Sequence, residues 1–205
     1  DWENYDAVEP LFKGVKKIEE LPIVEVVKYI DWTPFFQTWE LHGRYPRILE
    51  DEIVGSEAKK LFQDAQKMLN EAISKDWLKV KAVFGLWEAH SDADDDIYIF
   101  DENGNNIAVS HSLRQQVKKT GKAFNMSLSD FIMPKKVNKK DYIGAFTVTS
   151  GQNIDQIAKN YQDNLDDYNA IMIKALADLM AEAAAEYLHK LVRKNYLKLA
   201  EENED

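Results

Sequence analysis

The sequence predicts an α+β fold in which helices flank a largely antiparallel sheet. A long stripe of apolar residues at helical spacing runs between residues 165 and 199. Two short β-prone segments, 97–100 and 107–110, are joined by a turn that contains Asn103-Gly104, and Asn-Gly is a strong hairpin signal. Hairpins stand among helices without strand–helix–strand alternation, which favours an antiparallel over a parallel sheet.

Composition limits the classes of function. A chain of 205 residues fits one domain better than two. The formal net charge of -10 argues against nucleic acid as a partner, because a phosphate backbone calls for a basic surface. There is no cysteine, which excludes disulfides and thiolate metal sites and suits a cytoplasmic protein. No run of about 20 apolar residues indicates a membrane span.

The first third of the chain predicts loops followed by helices. Residues 1–21 mix apolar and charged residues without a period, and we expect extended and loop segments there. Pro22 suits the first turn of a helix. Ser56 is predicted to cap a helix that ends at about Ser74, since the apolar residues after it recur every three or four positions.

The middle of the chain predicts strands. Residues 79–89 are apolar enough for a central strand, and the acidic run 92–96 predicts a turn. That run lacks the Gly and the closing Glu of a calcium-binding EF-hand loop, so a solvated turn is favoured. Residues 129–133 predict a short turn or helical piece that Pro134 ends. Residues 141–151 predict a strand in which Gly144 allows close approach by another backbone or a ligand.

The last part of the chain predicts helices from residue 154 to 161 and from residue 165 to 199, as one long helix or two with a small break. The apolar stripe of the second region consists of Leu165, Tyr168, Met172, Leu176, Leu179, Ala183, Leu188, Leu191 and Val192.

The segment 29–55 is dense in aromatic residues and fits neither a helical nor a strand period. Pro34 and Pro46 interrupt it, so short pieces joined by turns are expected. Its rings are either buried core or the wall of a ligand site. Asp31, between two apolar residues, must cap the next turn or face a cationic partner.

The sequence contains no common catalytic motif: a phosphate-cradling loop, a nucleophile elbow and His-Glu-x-x-His are all missing. Its histidines do not have metal-ligand spacing. Asp178, Glu182 and Glu186 follow one another at four-residue intervals and share one face of the last predicted helix. That face is either a solvated stripe, partly compensated by Lys174 and Lys190, or a wall for a polar ligand such as a ribose, an ammonium or metal-bound water.

Several segments together resemble the activation, or S-adenosylmethionine-binding, domain of cobalamin-dependent methionine synthase. They occur in order over nearly the whole chain. The matching runs are Tyr29-Ile-Asp-Trp-Thr-Pro-Phe-Phe36, Tyr45-Pro-Arg-Ile-Leu-Glu-Asp-Glu52, Val109-Ser-His, Leu113-Arg-Gln-Gln116, Asp141-Tyr-Ile-Gly-Ala-Phe146, Asp166-Asp-Tyr-Asn169, Lys174-Ala-Leu-Ala-Asp178 and Ala185-Glu-Tyr-Leu-His189.

The resemblance implies one C-shaped α+β domain over residues 1–205, with a curved antiparallel sheet, flanking helices and a long C-terminal helix. It implies a part of the 5-methyltetrahydrofolate:homocysteine methyltransferase that binds S-adenosylmethionine and supports reductive methylation of cob(II)alamin to methylcobalamin. The cobalamin would be carried by a neighbouring domain of the same enzyme, and the electron would come from a flavodoxin-like donor.

The resemblance also assigns site residues. Asp31 corresponds to the carboxylate that binds the amino group of S-adenosylmethionine, and Asp178 and Glu182 lie on the helix near the cobalamin interface. It implies neither a catalytic acid or base nor a protein-bound metal. Methyl transfer from a sulfonium needs alignment of the reactants, which agrees with the missing catalytic motif.

One feature of the family is missing from these 205 residues. The family has an Arg-x-x-x-Gly-Tyr segment that holds much of S-adenosylmethionine, and this sequence does not contain it. A C-terminally truncated domain is therefore expected, inactive by itself and with weak or undetectable affinity for S-adenosylmethionine. The alternative is a non-catalytic interaction module that docks on a cobalamin-binding domain or on flavodoxin.

Overall fold

The computed structural model describes residues 2–121 and 123–197. Short 3-10 turns at Trp2–Asn4, Val27–Tyr29, Arg47–Glu50, Leu128–Phe131 and Lys135–Val137 connect the longer elements. The helices and strands, in chain order, are β1 (Gly14–Ile18), α1 (Ile23–Val26), α2 (Thr33–Thr38), α3 (Gly55–Ser74), β2 (Lys81–Ser91), β3 (Asp96–Phe100), β4 (Asn106–His111), β5 (Asp141–Thr149), α4 (Ile154–Asp163) and α5 (Asp167–Asn195).

The five strands form one sheet around β2. Strands β1, β2, β3 and β4 lie side by side in that order, and β5 also pairs with β2. The β2–β3 and β3–β4 pairs are antiparallel, with Ala89 opposite Ile99 and Tyr98 opposite Val109. The predicted α+β fold with a largely antiparallel sheet and a long C-terminal helix is confirmed.

The chain divides into two compact units, and the first comprises Asp1–Lys16, Val83–Phe146 and Leu191–Asp205. A small core of Ala89, Ile97 and Ile132 is buried there. The β3–β4 turn at residues 101–105 is the predicted hairpin. In it Gly104 has a φ of +80°, which suits glycine.

The same unit contains a connecting segment, residues 112–127, in which the described residues form neither helix nor strand. Its base is held by the guanidinium of Arg114, which donates to both carboxylate oxygens of Asp95 and of Asp130. This anchored segment and the turn after it expose large apolar side chains to solvent. These are Leu113, Val117, Phe124, Met126, Leu128 and Phe131.

The second unit comprises Lys17–Ala82 and Thr147–Lys190 and contains α1 to α4 and most of α5. Its core combines the buried faces of these helices, as the apolar spacing predicted for α3 and α5. The largest fully buried side chains of this unit are Leu21, Val26, Phe35, Phe36, Ile48, Leu69, Met172, Ile173, Leu176, Met180 and Leu188.

Two local predictions need correction. Helix α3 begins at Gly55, so Ser56 lies inside its first turn and does not cap it. The carboxylate of Asp51 accepts the backbone N–H groups of Ile53 and Val54, and this Asx turn forms the entry to the helix. Leu165 is 93% exposed with a φ of +58°, because it lies in the turn between α4 and α5.

Two further predictions concern single residues. Tyr168 was expected in the buried stripe of the last helix, and it is exposed on the first turn of α5. Gly144 was expected to allow close approach by a backbone or a ligand. The nearest group is the side chain of Leu86, whose Cδ2 would lie 3.2 Å from a Cβ at this position, and the backbone oxygen of Gly85 would lie 3.7 Å from it.

Candidate functional site

Asp31 precedes helix α2 and is exposed. The backbone at Ile30, which follows the Val27–Tyr29 turn, is extended. Its Oδ1 accepts the backbone N–H of Thr33 at 2.9 Å, which is an Asx turn. The first predicted role of Asp31, capping the next turn, is therefore what the structure shows. One carboxylate oxygen is left for another partner.

The aromatic residues after Asp31 form the scaffold that holds it. Trp32, Phe35 and Phe36 are 7%, 1% and 0% exposed. The ring of Trp32 meets those of Phe35 and Phe62 edge-on, at centroid distances of 5.6 and 4.9 Å, a favoured aromatic geometry. The core reading of these rings is confirmed, and the position of Asp31 is fixed by buried neighbours.

Trp39 is half-buried and packs on Tyr168 with a centroid distance of 4.8 Å. The segment consists of short pieces, as Pro34 and Pro46 predicted.

The acidic row on α5 is exposed. Asp178, Glu182 and Glu186 lie at four-residue intervals on the solvent side of the helix, while Leu179 and Ala183 beside them are buried. Lys174 begins the row, and its Nζ lies 3.3 Å from Oδ1 of Asp155 on α4. The row is therefore part of an open, strongly charged surface.

A groove of about 360 Å³ lies between α2 and α5. Its lining combines apolar side chains with the charged side chains of Lys174, Asp178 and Glu182. Asp178 and Glu182 therefore line one groove, and Asp31 lies three residues before its wall on α2. The lining residues are Pro34, Phe35, Thr38, Ile171, Lys174, Ala175, Asp178, Leu179 and Glu182.

A second groove, of about 340 Å³, lies on the other side of Lys174 and Asp178. Its opposite wall consists of the end of β5, the turn after it and the start of α4, at residues 148–152, 154 and 155. The buried hydroxyl of Ser150 donates to the carbonyl oxygen of Ala177 at 2.7 Å and ties this turn to α5. Lys174 and Asp178 thus border both grooves.

Sequence reasoning missed Thr38 and the contribution of Lys174 to the groove. Thr38 carried no signal, because it is an ordinary residue near the end of a short helix. Lys174 did have a sequence signal. It precedes Asp178 by four residues, which places both side chains on one helix face.

Groups with other possible chemistry lie outside the groove. His90 stacks between Tyr98 and Phe100, and its burial together with nearby Lys135 lowers its pKa. His111 is exposed, with Nδ1 2.8 Å from Oδ1 of Asp96. Neither has the surroundings of a catalytic base in a cleft.

The acidic run 92–96 forms a turn in which the side chain of Asp92 binds backbone N–H groups of the same run. Oδ1 of Asp92 accepts the N–H groups of Asp94 and Asp96 at 2.9 and 3.1 Å. Within residues 2–121 and 123–197, no three His, Asp or Glu side chains are grouped so that they could hold a metal ion. The helices in those ranges are all too short or too polar to cross a membrane.

The chain matches known proteins over most of its length. Residues 22–205 match the family model described as "Vitamin B12 dependent methionine synthase, activation domain". A crystal structure of the MetH reactivation domain bound to AdoHcy is similar, with a TM-score of 0.91 and 50% sequence identity. The match covers 100% of this chain and 62% of that one. On these matches, the chain belongs to the family of activation domains of vitamin B12-dependent methionine synthases.

Proposed function

We propose that this chain binds S-adenosylmethionine in the groove between α2 and α5 and positions its methyl group for the reactivation of cobalamin. The observation that carries the proposal is the groove itself. Its lining includes Phe35 of the aromatic scaffold that follows Asp31, and the carboxylates of Asp178 and Glu182 on α5. Its volume of about 360 Å³ falls within the range of sites for small ligands.

The groove suits a cationic ligand. Its lining includes the carboxylates of Asp178 and Glu182 and the ammonium of Lys174 as the charged groups, which leaves a net charge of -1. S-adenosylmethionine has a sulfonium, an ammonium and a carboxylate, and so a net charge of +1. A similar domain binds AdoHcy, the sulfide that remains when S-adenosylmethionine loses its methyl group, and this supports the choice of ligand.

Asp31 is proposed to bind the ligand's ammonium group. One of its oxygens is engaged by Thr33, which fixes the carboxylate and leaves the other oxygen to accept from the ligand. Asp178 and Glu182 are proposed to face the domain that carries cobalamin. Cobalamin bound to that domain would supply the acceptor of an electron and of the methyl group. The residues of this chain orient the sulfonium and supply no acid or base.

We also propose two protein partners. They are a cobalamin-binding domain of the same enzyme and a flavodoxin-like electron donor, in the cytoplasm. An interaction module without a ligand of its own is the second candidate, and the exposed apolar side chains of segment 112–127 favour it. The two candidates differ in whether the α2–α5 groove binds S-adenosylmethionine.

Replacing Asp31 tests the proposal. Asn at this position keeps the acceptor for Thr33 and removes the charge, so the fold should stay intact. We expect Asp31→Asn to lower the affinity for S-adenosylmethionine about tenfold, since a charge-assisted hydrogen bond is lost. In a methionine synthase that carries this chain, the rate of reductive reactivation at limiting S-adenosylmethionine should fall by a similar factor.

Asp51→Asn is the matched control, because Asp51 is also exposed and also accepts backbone N–H groups in an Asx turn. It should leave both affinity and reactivation unchanged. Equal effects of the two substitutions, or no effect of Asp31→Asn, would show that Asp31 does not bind the ligand.

A further inference from the structure

We propose that the first unit contains a further small-molecule site, which binds an organic phosphate monoester between the acidic turn 92–96 and the loop 134–136. The site is a groove of about 450 Å³. Its lining residues are Ser91, Asp92, Ala93, Pro134, Lys135 and Lys136. None of them lines the α2–α5 groove, so this proposal and the proposed function do not depend on each other.

Hydrogen bonds hold the two sides of this groove together. The end of β2 forms a parallel bridge with the loop, in which Ser91 lies opposite Pro134. The backbone N–H of Ser91 donates to the carbonyl oxygen of Met133 at 3.0 Å, and its buried hydroxyl donates to that of Ile132 at 2.8 Å. The N–H of Met133 donates to Oδ2 of Asp141 at 2.8 Å. The groove is therefore formed before anything binds, which lowers the entropic cost of binding.

Two lysines at the groove are available to an anion. Of the four lysines in the loop 135–140, Lys139 and Lys140 form salt bridges at 2.9 Å. Within residues 2–121 and 123–197, Lys135 and Lys136 form none, and both are exposed. A phosphate monoester has a charge close to -2 at neutral pH, and lysine ammonium groups bind phosphate as point charges. Two adjacent lysines thus match one phosphate group.

The rest of the lining is compatible with such a group. Asp92 is the one carboxylate in it, and its Oδ1 is engaged by the N–H groups of Asp94 and Asp96. Two ammonium groups and one carboxylate leave the lining with a net charge of +1, opposite in sign to that of the α2–α5 groove. Ala93 and Pro134 add apolar surface, which favours a phosphate with an organic part over a bare ion.

His90, next to the groove in sequence, can report on binding. Its ring stacks on that of Tyr98. Burial and the charge of Lys135 lower its pKa, while Asp92 and Glu88 act in the opposite direction. A dianion bound at Lys135 offsets the positive charge there, so the pKa of His90 should rise on binding.

Phenyl phosphate is the probe, because it combines a phosphate monoester with one apolar ring. We expect saturable NMR shifts at the methyl group of Ala93 and at the backbone N–H groups of Ser91 and Lys136. The pKa of His90 should rise by about 0.3. Replacing both lysines together, Lys135→Gln with Lys136→Gln, should weaken binding about tenfold, since each exposed charge contributes about threefold.

Matched controls separate the site from the general effect of charge. Lys59→Gln with Lys60→Gln removes two adjacent exposed lysines of α3 and should leave the affinity for phenyl phosphate unchanged. Lys135→Arg with Lys136→Arg keeps both charges and should keep binding. Inorganic phosphate, which lacks the ring, should bind more weakly than phenyl phosphate, and phenol, which lacks the charge, should not shift the groove residues.

The outcomes decide the proposal. Binding that is weakened by the glutamine pair at 135 and 136 but not by the pair in α3 supports the site. Equal weakening by both pairs would show that net charge alone attracts the anion, and it would overturn the proposal. The absence of saturable shifts at the groove residues with millimolar phenyl phosphate would also overturn it. Either result leaves the proposed binding of S-adenosylmethionine as it stands, because that rests on residues of α2 and α5.

Discussion

Tyr168 shows how a single residue departs from its pattern. It falls on the apolar stripe of α5, yet it is exposed at the start of the helix, and its hydroxyl donates to Oδ2 of Asp64 on α3 at 2.9 Å. Partial burial, the hydrogen bond and the negative charge of Asp64 raise the pKa of Tyr168 to about 12. The residue links two helices through its polar end.

The raised pKa gives a prediction at alkaline pH. Because the folded protein holds this proton more tightly than the unfolded chain, the contribution of Tyr168 to stability is complete below about pH 10 and is lost as the pH rises through about 12. We expect the free energy of unfolding to fall more steeply between these pH values in the unmodified protein than in Tyr168→Phe. Urea unfolding followed by circular dichroism measures both slopes. Identical slopes would mean that the hydrogen bond to Asp64 does not form in solution.

The anchored segment 112–127 is the element that depends most on one side chain. Arg114 joins Asp95, before β3, to Asp130, in the turn after the segment. Its hydrogen bonds lower the pKa of both carboxyl groups. Two carboxylates on one planar guanidinium form a geometry that lysine and glutamine cannot reproduce.

We expect Arg114→Gln to release this segment. Backbone amides of residues 115–127 should exchange with deuterium faster, as measured by mass spectrometry, while those of α3 stay protected. The stability that the lowered pKa values contribute is present above the ordinary carboxyl range and is lost as the pH falls through the lowered values. Acid unfolding should therefore occur at a higher pH in the variant.

Arg193→Gln is the control, because Arg193 is exposed near the end of α5. If both substitutions changed exchange at residues 115–127 equally, the contacts of Arg114 would not be the cause.

How far the sequence predicts an element depends on whether its signal is local. The end of α3 at Ser74 and the β3–β4 hairpin follow from apolar spacing and from Asn103-Gly104, which act within a few residues. The predicted stripe of α5 extended too far back to Leu165, since helical spacing continued by coincidence across a turn. The contacts of Arg114 join residues 16 and 19 positions away, and no local pattern indicates them.

The same limit applies to the candidate site. The resemblance to a family supplied Asp31, Asp178 and Glu182, and spacing showed that the last two share a face of a helix. The groove between α2 and α5 was not predicted, because its walls are more than 130 residues apart in the sequence. Only the fold brings Thr38 and Lys174 to the same place.

At the scale of the whole molecule, the chain has a formal net charge of -10 and a groove whose lining is also net negative. This agrees with a cationic small ligand. The matched reactivation domain is longer, since this chain spans 62% of it. The affinity of the 205 residues alone is therefore expected to be weak, and a test of the site must detect weak binding.

The most direct test of the central claim is a methyl NMR titration of the chain with S-adenosylmethionine up to millimolar concentration. The account predicts saturable shifts at Ile171, Ala175 and Leu179, which line the α2–α5 groove. Methyl groups of the first unit, such as those of Ile97 and Ile132, should stay in place. Saturable shifts that occur in the first unit and spare the three groove residues would contradict the proposed binding site.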